Sequence, residues 1–430
     1  MNIAITIILG IAGFMVLVAS HEFGHFLFAK LFKIRVPTFS IGMGPKIFGF
    51  KRNDTDFVFS IFPIGGYVHV YGMEKGEMKG EPDEFLSKSL WKQYLVIFGG
   101  PLFSFLLGIL LFYISIMGFG IGSFKNTKVL NIKTDNKTVE TSILQGDSII
   151  SINNKKIVFW DDMYGYFKSE EENLFKIKRG NEILDVSIKG EKSEFLNRIV
   201  PELPPVIGQV EKNGIAAKAG LKRGDIILTM DTVEIKQWNE FVDIIRKNAN
   251  TQVSLSLLRG VDTVKIDIIP KEQKALDGDS VIAVGYIGAL REFDIKRVNP
   301  FYGCYLAVGQ SISTIKLIGY QVGLLLSKKV STKELGGPLA IIKLTGQSIN
   351  WGVNTLLGFI AFITINLALI NMIPFPPLDG GQIILFTFNR IFGKKLSDRI
   401  MGFVEYAGFG LLILLMLYVT YNDVLRIFHK

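Results

Sequence analysis

The sequence predicts a polytopic α-helical membrane protein with four transmembrane helices and a soluble, strand-rich insert. Three observations predict this. The 430-residue chain is 49% hydrophobic and 12% aromatic, with a mean hydropathy of +0.34, too apolar for an ordinary soluble protein of this length. Four segments are each long and apolar enough for the roughly 20 residues that a spanning helix needs. Between the second and third lies a polar, lysine-rich stretch, residues 125–290, whose apolar residues alternate with a period of two.

The first span, about 3–28, ends in "VASHEFGHFLFAK". "VAS" has the small residues of a signal-peptide cleavage site, but no Lys or Arg precedes Lys30. Without a positive n-region, retention is expected, with the N-terminus outside. The following loop carries Lys30, Lys33, Arg35, Lys46, Lys51, Arg52, Lys88 and Lys92, and reads as cytoplasmic. The second span lies within 94–124 and has no charge before its far end, where Lys125 and Lys128 follow. The third lies within 350–376 and ends "LALINMIPFPP"; the fourth covers about 402–421, with Glu405 near one end. Between them Arg390, Lys394, Lys395 and Arg399 mark a second cytoplasmic loop. These loops account for the net charge of +9 without a nucleic-acid partner. Cys304 is the one cysteine, so an intrachain disulfide is excluded and a metal site has to use His and carboxylates.

Residues 301–326 are also long enough to span, but contain Lys316, Gln310 and Gln321. Hydropathy leaves two readings, a span or an interfacial amphipathic helix.

In the insert, "LQGDSIISINNKKIVFWDDM" (144–163) and "LKRGDIILTMDTVEIKQWNEF" (221–241) repeat one pattern. Each has Gly-Asp, an alternating strand, a turn, a second short strand and a Trp before a helix. With "PPVIGQVEKNGIAAKAG" (204–220) before it, the second copy resembles a PDZ domain of the bacterial permuted kind. The first copy is a more degenerate version. Such folds bind extended peptide at a sheet edge, and peptide contact is expected here over an inert spacer.

Residues four apart on a helix share a face. His21 and His25 therefore project together and can both reach one Zn²⁺. Glu22 lies about 100° round the helix, placed to take a proton from a water that the metal activates. Snorkelling at a membrane edge is the bland alternative, but Phe26 to Ala29 continue the apolar run before Lys30. Two of the chain's four histidines fall in this one turn; the others are His69 and His429. Catalytic zinc takes three protein ligands and leaves a fourth position for water. Asp379, in "NMIPFPPLDGGQ", is the best remaining candidate, and an ordinary Pro-Gly loop with a solvated aspartate is the competing reading. The prolines break the helix there, and irregular backbone at membrane depth must be buried or line a wet cavity.

"HEFGH", "NMIPFPPLDGG" and the PDZ-like pair between them resemble the site-2 protease family of intramembrane zinc metalloproteases, peptidase family M50. The arrangement is most like its bacterial branch that regulates sigma-E. "FSIGMGPKIF" and "FPIGGYVHVYG" are similar to the family's membrane-associated β-hairpin loop, and "FGGPLFS" and "LGGPLAI" to segments at its second and third helices. The resemblance implies His21, His25 and Asp379 as zinc ligands and Glu22 as general base. It also implies that Asn371 contacts the substrate backbone, and that Gly65, Gly66 and Tyr67 form a sheet edge beside the substrate. Met43 and Ser104 depart from the Phe and Asn common in the family, which puts any role of that Asn in doubt. The implied substrates are transmembrane segments of single-span proteins, such as an anti-sigma factor already trimmed by another protease, or signal-peptide remnants.

The chain thus divides into transmembrane helix 1 with HEFGH (1–30), a cytoplasmic, membrane-associated β-loop region (31–92), transmembrane helix 2 (93–124), a PDZ-like domain (125–200) and a PDZ domain (201–275). An extracytoplasmic linker with interfacial amphipathic helices (276–345), transmembrane helix 3 leading to LDGG (346–378), a cytoplasmic loop (379–401) and transmembrane helix 4 (402–422) complete it. His21 and Asp379 can meet only at one membrane depth. That parity requires 301–326 not to span and places the insert outside a bacterial inner membrane. There, two folded units would also act as a size filter on substrates. Competing classes are a membrane zinc transporter or sensor, for which Glu22 is dispensable, and a PDZ adaptor, which leaves HEFGH and LDGG unexplained.

Overall fold

The computed structural model describes residues 3–73, 78–132, 142–277, 280–332, 336–391 and 398–428. Lys394, Lys395 and His429, named above, and Leu335, the first residue of LGGPLAI, lie outside the described residues. The chain folds as two units, Met1–Gly118 with Asn299–Lys430, and Phe119–Val298.

The first unit begins with α1 (Ile3–Leu31), β1 (Thr38–Arg52), β2 (Thr55–His69), a 3₁₀ turn at Phe85–Ser87 and α2 (Leu90–Phe119). The antiparallel strands β1 and β2 curl. Phe39 pairs with both Val68 and Phe57, and Phe57 also pairs with Phe50. Two strands thereby make four rungs, in the order 66–69, 38–41, 55–60, 46–52. The outer segment 46–52 leaves Ile47, Phe48 and Phe50 exposed. At the junction of α1 and α2 a small core forms from Ala29, Ile34, Val36, Val70, Phe85 and Ile97.

The second unit repeats one architecture twice. The first copy comprises β3 (Ile121–Ser123), β4 (Val129–Ile132), β5 (Ser148–Ile152), β6 (Lys155–Lys156), α3 (Asp162–Tyr166), β7 (Glu172–Arg179), β8 (Glu182–Lys189), α4 (Lys192–Arg198) and β9 (Ile199–Pro201). The second comprises β10 (Ile207–Val210), α5 (Ile215–Lys218), β11 (Ile226–Met230), β12 (Val233–Glu234), α6 (Trp238–Lys247), β13 (Val253–Arg259) and β14 (Asp262–Ile268). It continues through β15 (Lys271–Asp277), β16 (Ser280–Tyr286) and β17 (Ala289–Arg291), and β18 (Asp294–Lys296) closes the unit on β3. The two main sheets run β6-β5-β7-β8 and β12-β11-β13-β14, and the side sheets β4-β9 and β10-β17. The second copy therefore extends to Arg291. A boundary at 275 falls inside β15, because residues 280–286 form a strand that pairs with it rather than a linker.

The repetition reaches single hydrogen bonds. Asp147 takes Arg179 through both carboxylate oxygens, at 2.9 and 2.8 Å. Asp225 takes Arg259 in the same way, at 2.8 and 2.7 Å. Each aspartate also accepts the amide three residues earlier, from Leu144 at 2.7 Å and from Lys222 at 2.8 Å. Each arginine reaches one further carbonyl, of Ser142 or Gly220. A nearly buried carboxylate held by a bidentate guanidinium and a backbone amide has its polar demand met. The Gly-Asp turn of each repeat is locked by that clamp.

The chain then returns to the first unit through α7 (Pro300–Leu326), α8 (Pro338–Trp351), α9 (Val353–Asn371), α10 (Asp379–Ile391) and α11 (Asp398–Phe428). Among the described residues four helices are long and apolar enough to cross a membrane: Gly10–Leu31, Leu90–Phe119, Val353–Asn371 and Gly402–Leu425. α7 buries Gly303, Ala307, Ser311, Thr314 and Ile318, a stripe at helical spacing. Gly352, at φ +117°, ends α8 and starts α9. Residues 346–351, read above with the third span, belong instead to α8, because only glycine turns the chain there without strain.

Candidate metal centre

The last turns of α1 carry His21, Glu22 and His25. Their position is fixed by a close crossing with α2. A Cβ on Gly24 would lie 2.0 Å from the Gly99 carbonyl oxygen, and one on Gly99 would lie 2.5 Å from that of Gly24. Only a glycine pair lets the two backbones touch, the small-residue packing that helices use in lipid. Next to it, a Cβ on Gly100 would meet His25 Nε2 at 2.3 Å. The bare backbone of α2 leaves room for both imidazoles.

The fold brings three predicted ligands together. The Nε2 atoms of His21 and His25 are 3.3 Å apart. Asp379 Oδ2 lies 3.2 Å from His21 Nε2, and Oδ1 lies 3.6 Å from His25 Nε2. A tetrahedral ion with bonds near 2.05 Å sets its ligands about 3.3 Å apart. Asp379 Oδ2 is buried without a hydrogen-bond partner, a demand that a cation meets. This is the one group of three His, Cys, Asp or Glu donors with such spacing among the described residues. The donor set and spacing fit zinc.

Asp379 opens α10. A Cβ on Gly380 would lie 2.4 Å from the Met372 carbonyl oxygen, and one on Gly381 would lie 2.4 Å from Pro376 N. The two glycines after Asp379 let the start of α10 fold back against the end of α9. Asn371, the last residue of α9, arrives at the same place, with Nδ2 3.2 Å from His21 Nε2.

Glu22 faces the other side. Its Cγ would lie 3.2 Å from a Cβ on Gly66, and its carboxyl interacts with His25, Asp379 and the Val68 amide. The β2 backbone at 66–68 therefore packs directly on the glutamate. Gly65, at φ +81°, sits against the Met43 methyl. Tyr67, paired with Ser40, is 46% exposed. Segment 66–69 is the end rung of its sheet among the described pairings. His21, His25, Asp379, Asn371, Glu22 and Gly66 thus lie together, while Gly65 and Tyr67 flank Gly66 along β2 without a contact to the cluster among the described residues. His69, at the end of β2, pairs with Thr38 of β1 and is not one of the clustered donors.

Sequence reading missed the far side of the histidines. His25 Nδ1 lies 2.9 Å from the Val96 carbonyl oxygen, and His21 Nδ1 lies 3.1 Å from Ser104 Oγ. A carbonyl only accepts, so His25 carries its proton on Nδ1 and presents a bare Nε2 to the centre. The signal for this was the Gly99-Gly100 pair in an apolar helix, which marks a close helix neighbour.

Two histidines one turn apart with a glutamate between them, closed by an aspartate from a remote helix in a chain with four candidate membrane spans, define a membrane metallopeptidase. The family model described as Peptidase family M50 matches residues 9–415. The chain belongs to that family. It is 28% identical to the regulator of sigma-E protease RseP of Escherichia coli K12, over 96% of each chain. It is 27% identical to the zinc metalloprotease RasP of Oceanobacillus iheyensis, over 98% of this chain and 99% of the relative. It is 31% identical to the probable protease eep of Enterococcus faecalis, again over 98% and 99%.

Proposed function

We propose that this protein is a zinc-dependent intramembrane endopeptidase that cuts transmembrane segments of single-span proteins. The observation that carries the reading is the convergence of His21, His25 and Asp379 at tetrahedral spacing beside Glu22. These three residues would hold the zinc, which supplies Lewis acidity to the scissile carbonyl and to the attacking water. Glu22 takes the proton of that water and returns it to the leaving amine. A helical substrate hides its amides in its own hydrogen bonds and has to unwind before attack. The 66–69 edge, with Gly65, Gly66 and Tyr67, offers main-chain groups to the unwound segment, and the Asn371 amide binds its remaining polar groups. Parity puts Phe119–Val298 outside the bacterial inner membrane, where the second repeat contacts extended peptide. An anti-sigma factor trimmed by a prior protease, or a signal-peptide remnant, is the expected substrate class.

The test is co-expression with candidate single-span proteins. Glu22→Gln is expected to abolish cleavage, a loss of at least about 100-fold, while zinc stays bound; His21→Ala is expected to lose the metal. A fully active Glu22→Gln protein overturns the mechanism, and unaltered metal transport by that variant would favour a transporter.

A further inference from the structure

We propose that Ser104 is a positioning residue that holds His21 in the tautomer able to bind metal, so that α2 acts as the outer clamp of the centre. The inference rests on the zinc reading above.

Three observations carry it. First, Ser104 is fully buried, and its hydroxyl lies 3.1 Å from His21 Nδ1. Second, most other helix-borne hydroxyls of this unit behave differently, Ser20 and Ser115, which reach Phe103 and Asn354, excepted. Those of Ser311, Thr314, Thr345, Ser348, Thr364 and Thr387 each donate to the carbonyl four residues earlier. That is the ordinary resting place of a hydroxyl in an apolar helix. Ser104 Oγ meets an imidazole from another helix. Third, the neighbouring histidine is held in the same manner from the same helix, by the Val96 carbonyl. Both Nδ1 atoms therefore point at α2, and both Nε2 atoms point at Asp379.

The chemistry follows from proton placement. If the hydroxyl donated to Nδ1, His21 would carry its proton on Nε2 and aim it at the other ligands. With Nδ1–H donating into Ser104 Oγ, Nε2 presents a lone pair. The bond also fixes the ring plane and raises the basicity of the ligating nitrogen. Such outer partners typically contribute 10–100-fold in metal affinity. The close Gly24–Gly99 crossing holds the serine within reach.

The experiment uses the purified full chain in lipid nanodiscs. Zinc affinity is measured by competition with a chelator, alongside the visible spectrum of the cobalt-loaded protein. Ser104→Ala is expected to weaken zinc binding about 10–100-fold and to shift the cobalt bands, with the metal-free melting temperature unchanged. Ser104→Asn, whose amide oxygen can accept the same proton, is expected to recover most of the affinity. Unchanged zinc affinity and cobalt bands in Ser104→Ala overturn the proposal. So does a lowered metal-free melting temperature with unchanged affinity, which would make Ser104 a packing residue. A wild-type chain that binds no zinc would instead overturn the metal reading itself.

Discussion

The two repeats of Phe119–Val298 share a clamp and differ in what surrounds the strand that closes each side sheet. In the first copy that strand is β9, and α4 runs directly into it. Phe195 of α4 is fully buried and stacks on Phe167, at the end of α3, with ring centroids 4.9 Å apart. Pro201 in β9 has no amide to donate. In the second copy the strand is β17. No helix precedes it; a Cβ on Gly285 would lie 2.0 Å from the Ile245 carbonyl oxygen, so the backbone of β16 meets the end of α6 directly. β17 contains Ala289, Leu290 and Arg291, each with an amide, and pairs only with β10 among the described residues. Duplication kept the element that folds the turn and let the neighbouring segment diverge. One copy has spent that segment on its own core. The other leaves that strand with one unpaired edge among the described residues, the edge at which the proposed peptide contact would be made.

Three changes would break or sharpen this contrast. The largest effect is expected from Phe195→Ala, which removes a fully buried ring from the core of the first copy. A loss of about 3–5 kcal/mol should appear as early cleavage within 142–201 in limited proteolysis, with the second copy still protected. Equal loss of protection in both copies would mean that they do not have separate cores.

Next come the clamps. Asp147→Asn and Asp225→Asn should each cost on the order of 3 kcal/mol, because each leaves a guanidinium facing a neutral amide. Burial pushes both aspartates up, but the arginine hydrogen bonds and the Leu144 or Lys222 amide outweigh it and hold them below their ordinary value. Their contribution is therefore complete above the unfolded value, about 3.9. It is lost as pH falls through the lower folded value. Urea melts of the full chain between pH 3 and pH 7 should lose less stability on acidification in the Asn variants than in the wild type. Identical acid slopes would remove the clamps from the account.

The smallest effect separates the copies by function. Ala289→Pro removes one outward donor from β17, whose residues 288 and 292 face β10, and should slow cutting of trimmed substrate by about tenfold, equivalent to roughly 1.4 kcal/mol. Val200→Pro, in a strand whose outward amides are already tied to Phe195 at Ile199 and missing at Pro201, should leave the rate unchanged. If the insert works as a size filter alone, neither variant changes the rate. A deletion test of that idea is best drawn at 204–291, since the second copy ends at Arg291.

Much of this was legible in the sequence. The zinc helix could be read because its three residues are local, and Asp379 because prolines inside an apolar run are anomalous. The repeats could be read from Gly-Asp and the Trp that follows. Both arginine partners had a local mark that passed unnoticed: Arg179-Gly180 and Arg259-Gly260 each begin a turn with a positive-φ glycine. Ser104 and Val96 were not legible, because their roles depend on the rotation of α2 about its axis, and beyond Lys92 that helix carries no charge from which to read it; Gly99-Gly100 marked a close neighbour without saying which helix it is. The break at Gly352 was hidden in continuous hydropathy, which senses composition and not backbone direction.

Asn371 lies 350 residues after His21, and the whole insert is made between them. At about 5–20 residues per second, a ribosome needs roughly 20–70 s to travel from one half of the centre to the other. Throughout that interval the new chain has its histidine pair and its glutamate but not Asp379. The chain is thus synthesised first in an unarmed form. Its activity begins when α10 is delivered to α1, after Phe119–Val298 has had time to fold.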